Sequence, residues 1–167
     1  MKLIIGLCLL LLSSVASANK WDYNISDDPY GDDRIALFTR AINSNGNIAS
    51  LVVRCTPINN TFELYVTFGE DVTRGTNELY SQVQVDGIDP FVWTYVDSGS
   101  DNDSAFIIDD ASLHNAEDYT LLQEMAAGRT FKIRARDQLN DGKLIRANFS
   151  LIGFTRTWNE TCGNFTN

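Results

Sequence analysis

The chain reads as a mainly β protein: an antiparallel β-sandwich of about eight short strands with one late helix and one disulfide. Three observations predict this. Apolar residues alternate with polar ones over short runs, most clearly in "TFELYVTF", where Phe62, Leu64, Val66 and Phe68 interleave with Glu63, Tyr65 and Thr67. That is the period of a strand with one buried face. Turn signals separate the runs at short intervals, among them Asn45-Gly46 and Asp141-Gly142. Only once does the period change to a helical one, where Leu121, Leu122 and Met125 precede Gly128. A single α+β sheet is the alternative arrangement of the same elements.

In chain order, the polar stretch 19–33 reads as an N-terminal arm, pinned by Trp21 and Tyr23 and broken by Pro29 and Gly31. Strands are expected at 34–41, 48–55 and 61–68, with the turns "NSNGN" and "TPINN" between them. In "ELYSQVQVDG" one face carries Leu79, Ser81, Val83 and Val85, and the other carries Tyr80, Gln82 and Gln84. Further strands are expected at 90–96 and 104–108, and the helix at 116–127. In "RTFKIRARD", Phe131, Ile133 and Ala135 face one way and Lys132, Arg134 and Arg136 the other. The last strand, "KLIRANFSLIG", runs into a short terminal turn or helix carrying Trp158 and Cys162.

Residues 1–18 have the build of a secretory signal: Lys2, an apolar Leu3 to Leu12, then Ala16-Ser17-Ala18 as a small-x-small cleavage pattern. The apolar run is too short to span a bilayer. The expected mature chain, from Asn19, is long enough for one domain with a real core at 34–167. Its expected compartment is the periplasm in a bacterium, or otherwise the exterior.

Cys8 leaves with the signal, so the mature chain keeps Cys55 and Cys162. In an oxidising compartment two cysteines allow one bridge, the alternative being two free thiols. The bridge would close a loop of roughly 107 residues, and on the chain-entropy model such a loop stabilises by about 4.7 kcal/mol before strain.

The full chain carries a net charge of −9. That disfavours nucleic acid and anionic membranes as partners and favours a basic protein. His114 is the only histidine and lies in a polar run; there is no G-x-S-x-G, and a bridged cysteine pair leaves no thiol nucleophile. One histidine cannot build a zinc site. The acidic runs Asp27, Asp28, Asp32, Asp33 and Asp97, Asp101, Asp103 lack the spacing of a calcium loop. No catalytic, cofactor or metal residues are therefore expected. Trp93 and Tyr95 are the candidate partner surface, while Lys132, Arg134 and Arg136 read as a solvated strand face. Six N-x-S/T sequons occur, at Asn24, Asn59, Asn102, Asn148, Asn159 and Asn164.

Several of these landmarks occur in a recognisable order. Trp21 precedes "DDRIALF"; Arg54-Cys55 precedes "ELYVTF"; "VQVDG" precedes "FVWTYVDSG"; and "ANFSLIGF" leads to Cys162. In this order the chain resembles the VasI/TagO family, small periplasmic accessory proteins associated with bacterial type VI secretion systems, with relatives in prophages. Val85 stands where that family favours an arginine. The resemblance implies a periplasmic, non-enzymatic, disulfide-stapled protein that contacts another protein, an envelope or secretion component. It brings no catalytic residues.

The expected function is thus an exported accessory or protein-interaction module. An acidic inhibitor of a basic enzyme such as lysozyme is the alternative, since complementary charge speeds association. A glycan hydrolase using a carboxylate pair is the lesser one.

Overall fold

A computed structural model describes residues 21–26, 34–57, 59–73, 78–87, 94–97, 102–112, 116–137 and 141–163. The expected signal at 1–18, Trp93 and His114 lie outside them. Nine strands and two helices are present among the described residues. The strands are β1 (Asp22–Ser26), β2 (Arg34–Ile42), β3 (Ile48–Thr56), β4 (Thr61–Thr67), β5 (Glu78–Val85), β6 (Thr94–Asp97), β7 (Ser104–Ser112), β8 (Thr130–Asp137) and β9 (Lys143–Ser150). The helices are α1 (Ala116–Ala127) and α2 (Phe154–Thr161).

The protein is mainly β, antiparallel throughout, with one disulfide, as the alternating pattern predicts. Hydrogen bonding runs in one order, β1-β2-β3-β4-β7-β6-β5-β8-β9. The sheet has a seam. β7 meets β6 at a single register pair, Asp97 with Phe106, whereas β8 and β9 share eight. Across this seam the sheet folds over into two halves, β1-β2-β3-β4-β7 and β6-β5-β8-β9. The far strands then meet: the Ser44 N–H donates to the Arg146 carbonyl at 2.8 Å, and the Trp21 indole N–H donates to the Ser150 carbonyl at 3.0 Å. One continuous core fills the space between the halves.

Strand alternation decides what enters that core. Phe62, Leu64, Val66 and Phe68 are all buried, as are Leu79, Ser81, Val83 and Val85, and Phe131, Ile133 and Ala135. The turn after β2 is closed by one side chain. Asn43 accepts from the Asn45 and Asn47 N–H groups through Oδ1 and donates through Nδ2 to the Phe68 carbonyl and to Glu70. Gly46 at φ 90° supplies the left-handed position that the Asn-Gly signal predicts.

Two strands depart from expectation. The arm at 19–33 contains β1, an edge strand paired with β2 from Asp22–Phe38 to Ser26–Arg34. All five of its residues are exposed, so its sequence carries no alternating signal. Trp21 is buried against Phe154, with ring centroids 4.8 Å apart, but Tyr23 is exposed and does not pin the arm. The short terminal turn or helix expected after the last strand is the helix α2, whose Phe154 and Trp158 are buried. The strand expected at 104–108 also runs on to Ser112.

The first helix occupies the expected residues. Leu122 and Met125 are fully buried and Leu121 nearly so. Gly128 follows it, at a position where a Cβ would fall 2.6 Å from Val85 Cγ1, so the chain packs here only as glycine. The chain then turns into β8 under a clamp from the Asp86-Gly87 turn. Asp86 takes a left-handed φ of 51°, and its carboxylate accepts from the Arg129 N–H at 2.9 Å and the Thr130 N–H at 2.8 Å. The two helices are joined by the Thr155 hydroxyl, which donates to the Ala126 carbonyl at 2.7 Å.

Candidate functional site

Cys55 and Cys162 form the single bridge expected of them, with Cα atoms 5.9 Å apart and 107 residues of separation. The bond ties the end of β3 to the end of α2. Trp158, one turn before Cys162, sets its ring edge-on to Phe62 beside the bridge. Both cysteines are buried, so the bond belongs to the core rather than to a reactive surface.

Of the expected partner surface, Trp93 lies outside the described residues. Tyr95 is described only by its backbone, in register with Tyr80. Among the described residues no three His, Cys, Asp or Glu side chains gather as metal ligands. The acidic run Asp27 to Asp33 is outside this set. No helix among the described residues is long and apolar enough to cross a membrane.

The residues that face outward from the two halves form two different surfaces. On the first half, strand register lines up Phe38 with Val52, Val52 with Tyr65, and Tyr65 with Phe106. Four strands thus contribute one transverse apolar row to the outer face. A shift of register between Leu64 and Tyr65 on β4 turns Phe106 outward while Ala105 and Ile108 stay in the core. Tyr65 and Phe106 stack at 4.8 Å with their planes 18° apart. Arginines flank the row: Arg40 lies 5.1 Å over the Phe38 ring and Arg54 lies 5.3 Å over Tyr65. Arg54 also donates to Glu63 at 2.7 Å and to the Tyr65 hydroxyl at 3.0 Å, which fixes its plane. At the hairpin end of this face, Ile42 pairs with Ile48, and both are more than half exposed, at 64% and 60%. A shallow depression between Phe38, Arg40, Val52 and Tyr65 has a volume of about 260 Å³.

On the second half, the outward residues are mainly polar and basic, with Tyr80 and Leu144 toward one end. Register places Gln82 beside Arg134 and Arg134 beside Arg146. The next row runs Gln84, Lys132, Asn148. These six side chains line a depression of about 230 Å³. The Arg134 Nε–H donates to Gln82 Oε1, and Gln82 is itself buried. Lys132, Arg146 and Asn148 are exposed. Arg136 lies further along β8, opposite Leu144, so it is on the same face but outside the depression.

Two sequons sit on these surfaces. Asn24 borders the depression on the aromatic face, and Asn148 lines the one on the basic face.

Neither surface is complete in a single run of sequence. Alternation within β8 reveals Lys132 and Arg134, but Arg146 joins them only through β8–β9 pairing. The aromatic row draws on four strands, and no local signal links Phe38 to Phe106.

Compared with family models, with curated proteins and with solved structures, the chain has no significant match.

Proposed function

We propose that this chain is an exported, non-enzymatic protein-interaction module that docks an envelope or secretion-apparatus protein through the outer face of β2, β3, β4 and β7. The observation that carries this reading is the aligned row Phe38, Val52, Tyr65 and Phe106, framed by Arg40 and Arg54. A sheet face turned to water needs no such row for folding, because the core is already filled from the opposite face. Aromatic residues and arginine are the types enriched where proteins bind one another. Rigid rings held by register lose little conformational freedom on binding, so more of their contact energy is retained. The buried Cys55–Cys162 bond supports export, since such bonds persist in oxidising compartments. The resemblance to the VasI/TagO proteins supports a periplasmic accessory role. The net charge of −9 favours a partner with a basic surface.

The same charge favours one second reading, an inhibitor of a basic enzyme such as lysozyme, in which the docked partner is the enzyme itself.

The test is capture of partners by the tagged, disulfide-bonded mature protein in crosslinked periplasm, beside a Phe38→Ser/Tyr65→Ser variant whose fold is checked by circular dichroism. The reading expects an envelope or secretion protein that the variant no longer captures. Recovery of a basic hydrolase, with loss of its activity on binding, selects the inhibitor. Equal capture by the folded variant overturns the proposed face.

A further inference from the structure

We infer that the outer face of β5, β8 and β9 is an oxyanion-binding site, taking a phosphate, sulfate or carboxylate group carried on a small polar molecule. The site is separate from the aromatic face and independent of the partner proposed for it.

Composition makes the patch notable. The chain has 22 acidic and 13 basic side chains. The depression on this face nevertheless has three cations, Lys132, Arg134 and Arg146, and no carboxylate in its lining among the described residues. Register makes it more so. Arg134 and Arg146 stand directly opposite each other on neighbouring strands, with Lys132 one row along, so the cations converge on one spot. Among the described residues, neither Lys132 nor Arg146 has an ion-pair partner. A bound anion would supply the counter-charge that these two lack.

The neutral side chains complete the chemistry. Gln82 accepts from the Arg134 Nε–H and so holds the guanidinium plane in place. A planar guanidinium held this way presents its donors in the fork geometry that matches two oxygens of one oxyanion. Gln84 and Asn148 flank Lys132 and offer amide donors and acceptors to hydroxyl groups on the carrier molecule. At about 230 Å³ the depression falls below the usual size of a drug-sized pocket. It suits one small charged group with its immediate neighbours. The lining contains no aromatic ring, so recognition rests on charge and hydrogen bonds, which salt will weaken.

The experiment is a titration of the mature protein at low ionic strength, following backbone amide resonances. Its soluble arms are sodium phosphate, sodium sulfate and glucose 1-phosphate. Its membrane arm is a vesicle containing phosphatidic acid. The proposal expects saturable shifts confined to β5, β8 and β9, weakened about tenfold by Arg146→Gln, the scale of one charge-assisted hydrogen bond. A Lys132→Gln/Arg146→Gln variant should lose them altogether. A Lys143→Gln control, on β9 but outside the depression, should leave them unchanged. Response to the soluble anions assigns a free ligand, and response to vesicles alone assigns a lipid headgroup. No response in any arm overturns the site, as does a response undiminished in the double variant or shared equally by Arg40 and Arg156. Arg146 is exposed and has no ion-pair partner among the described residues, so its variant should melt no lower than the parent, and a loss of binding then reports the site rather than the fold.

Discussion

The two halves of the sheet line one core, yet they turn opposite chemistry to the solvent. On β2, β3, β4 and β7 the outward row is Phe38, Val52, Tyr65 and Phe106. On β5, β8 and β9 it is Gln82, Arg134 and Arg146, then Gln84, Lys132 and Asn148. The inner faces do not differ in this way, because both supply large apolar side chains to the same cluster. The difference teaches that the core residues account for the fold while the outward rows remain available for something else. The weak seam between β6 and β7, with one register pair, sets the boundary between the two surfaces.

The comparison can be broken most forcefully through the disulfide, which belongs to the aromatic half. A Cys55→Ser/Cys162→Ser variant should lose about 2–5 kcal/mol, lowering Tm by about 10 °C. Hydrogen exchange should rise first in β3 and α2 and later in β8 and β9. A uniform rise would show that the halves open as one unit. The mirror experiment acts on the basic half. Asp86→Ala removes the acceptor of the Arg129 and Thr130 N–H groups and should cost about 2 kcal/mol by chemical denaturation. The first amides to exchange faster should be those of β5 and β8. Protection in β3 should hold longer.

Smaller effects sharpen the contrast between the surfaces. Tyr65→Ala breaks the stack with Phe106 and the contacts with Arg54. It should cost about 1 kcal/mol in urea unfolding and far more in partner capture. On the basic face, Arg146→Gln should change stability by no more than about 0.5 kcal/mol, and upward if at all. Urea midpoints measured side by side would check both. A large loss in the Arg146 variant would mean that the patch is structural.

Much of the architecture was legible in the sequence. Strict alternation exposed the inward faces of β4, β5 and β8, and the change of period before Gly128 marked α1. Counting cysteines after removal of the expected signal gave one bridge between Cys55 and Cys162, which is present. What stayed hidden has a common physical cause. β1 is a fully exposed edge strand, held by backbone pairing and by the neighbouring Trp21, so its own side chains carry no pattern. The outward rows depend on which strand pairs with which, and β4 pairs with β7 across a register shift that no local rule announces. Arg146 seen alone is a surface arginine on a terminal strand. It becomes part of a site only because β9 lies beside β8.

The Cys55–Cys162 bond also sets how the molecule responds to tension. A pull between the two chain ends enters the fold ahead of β3 and leaves it after α2, so the covalent link carries the load between them. The 107 residues of separation inside the link could otherwise pay out roughly 350–385 Å of extended chain. While the bond is intact that length is withheld, and the basic face lies wholly within the shielded segment, together with Tyr65 and Phe106 of the aromatic row, whereas Phe38 and Val52 precede it. A protein anchored at one end and gripped at the other would yield only the strands ahead of the bond, β1, β2 and most of β3, and a reducing agent would act as the release for the rest.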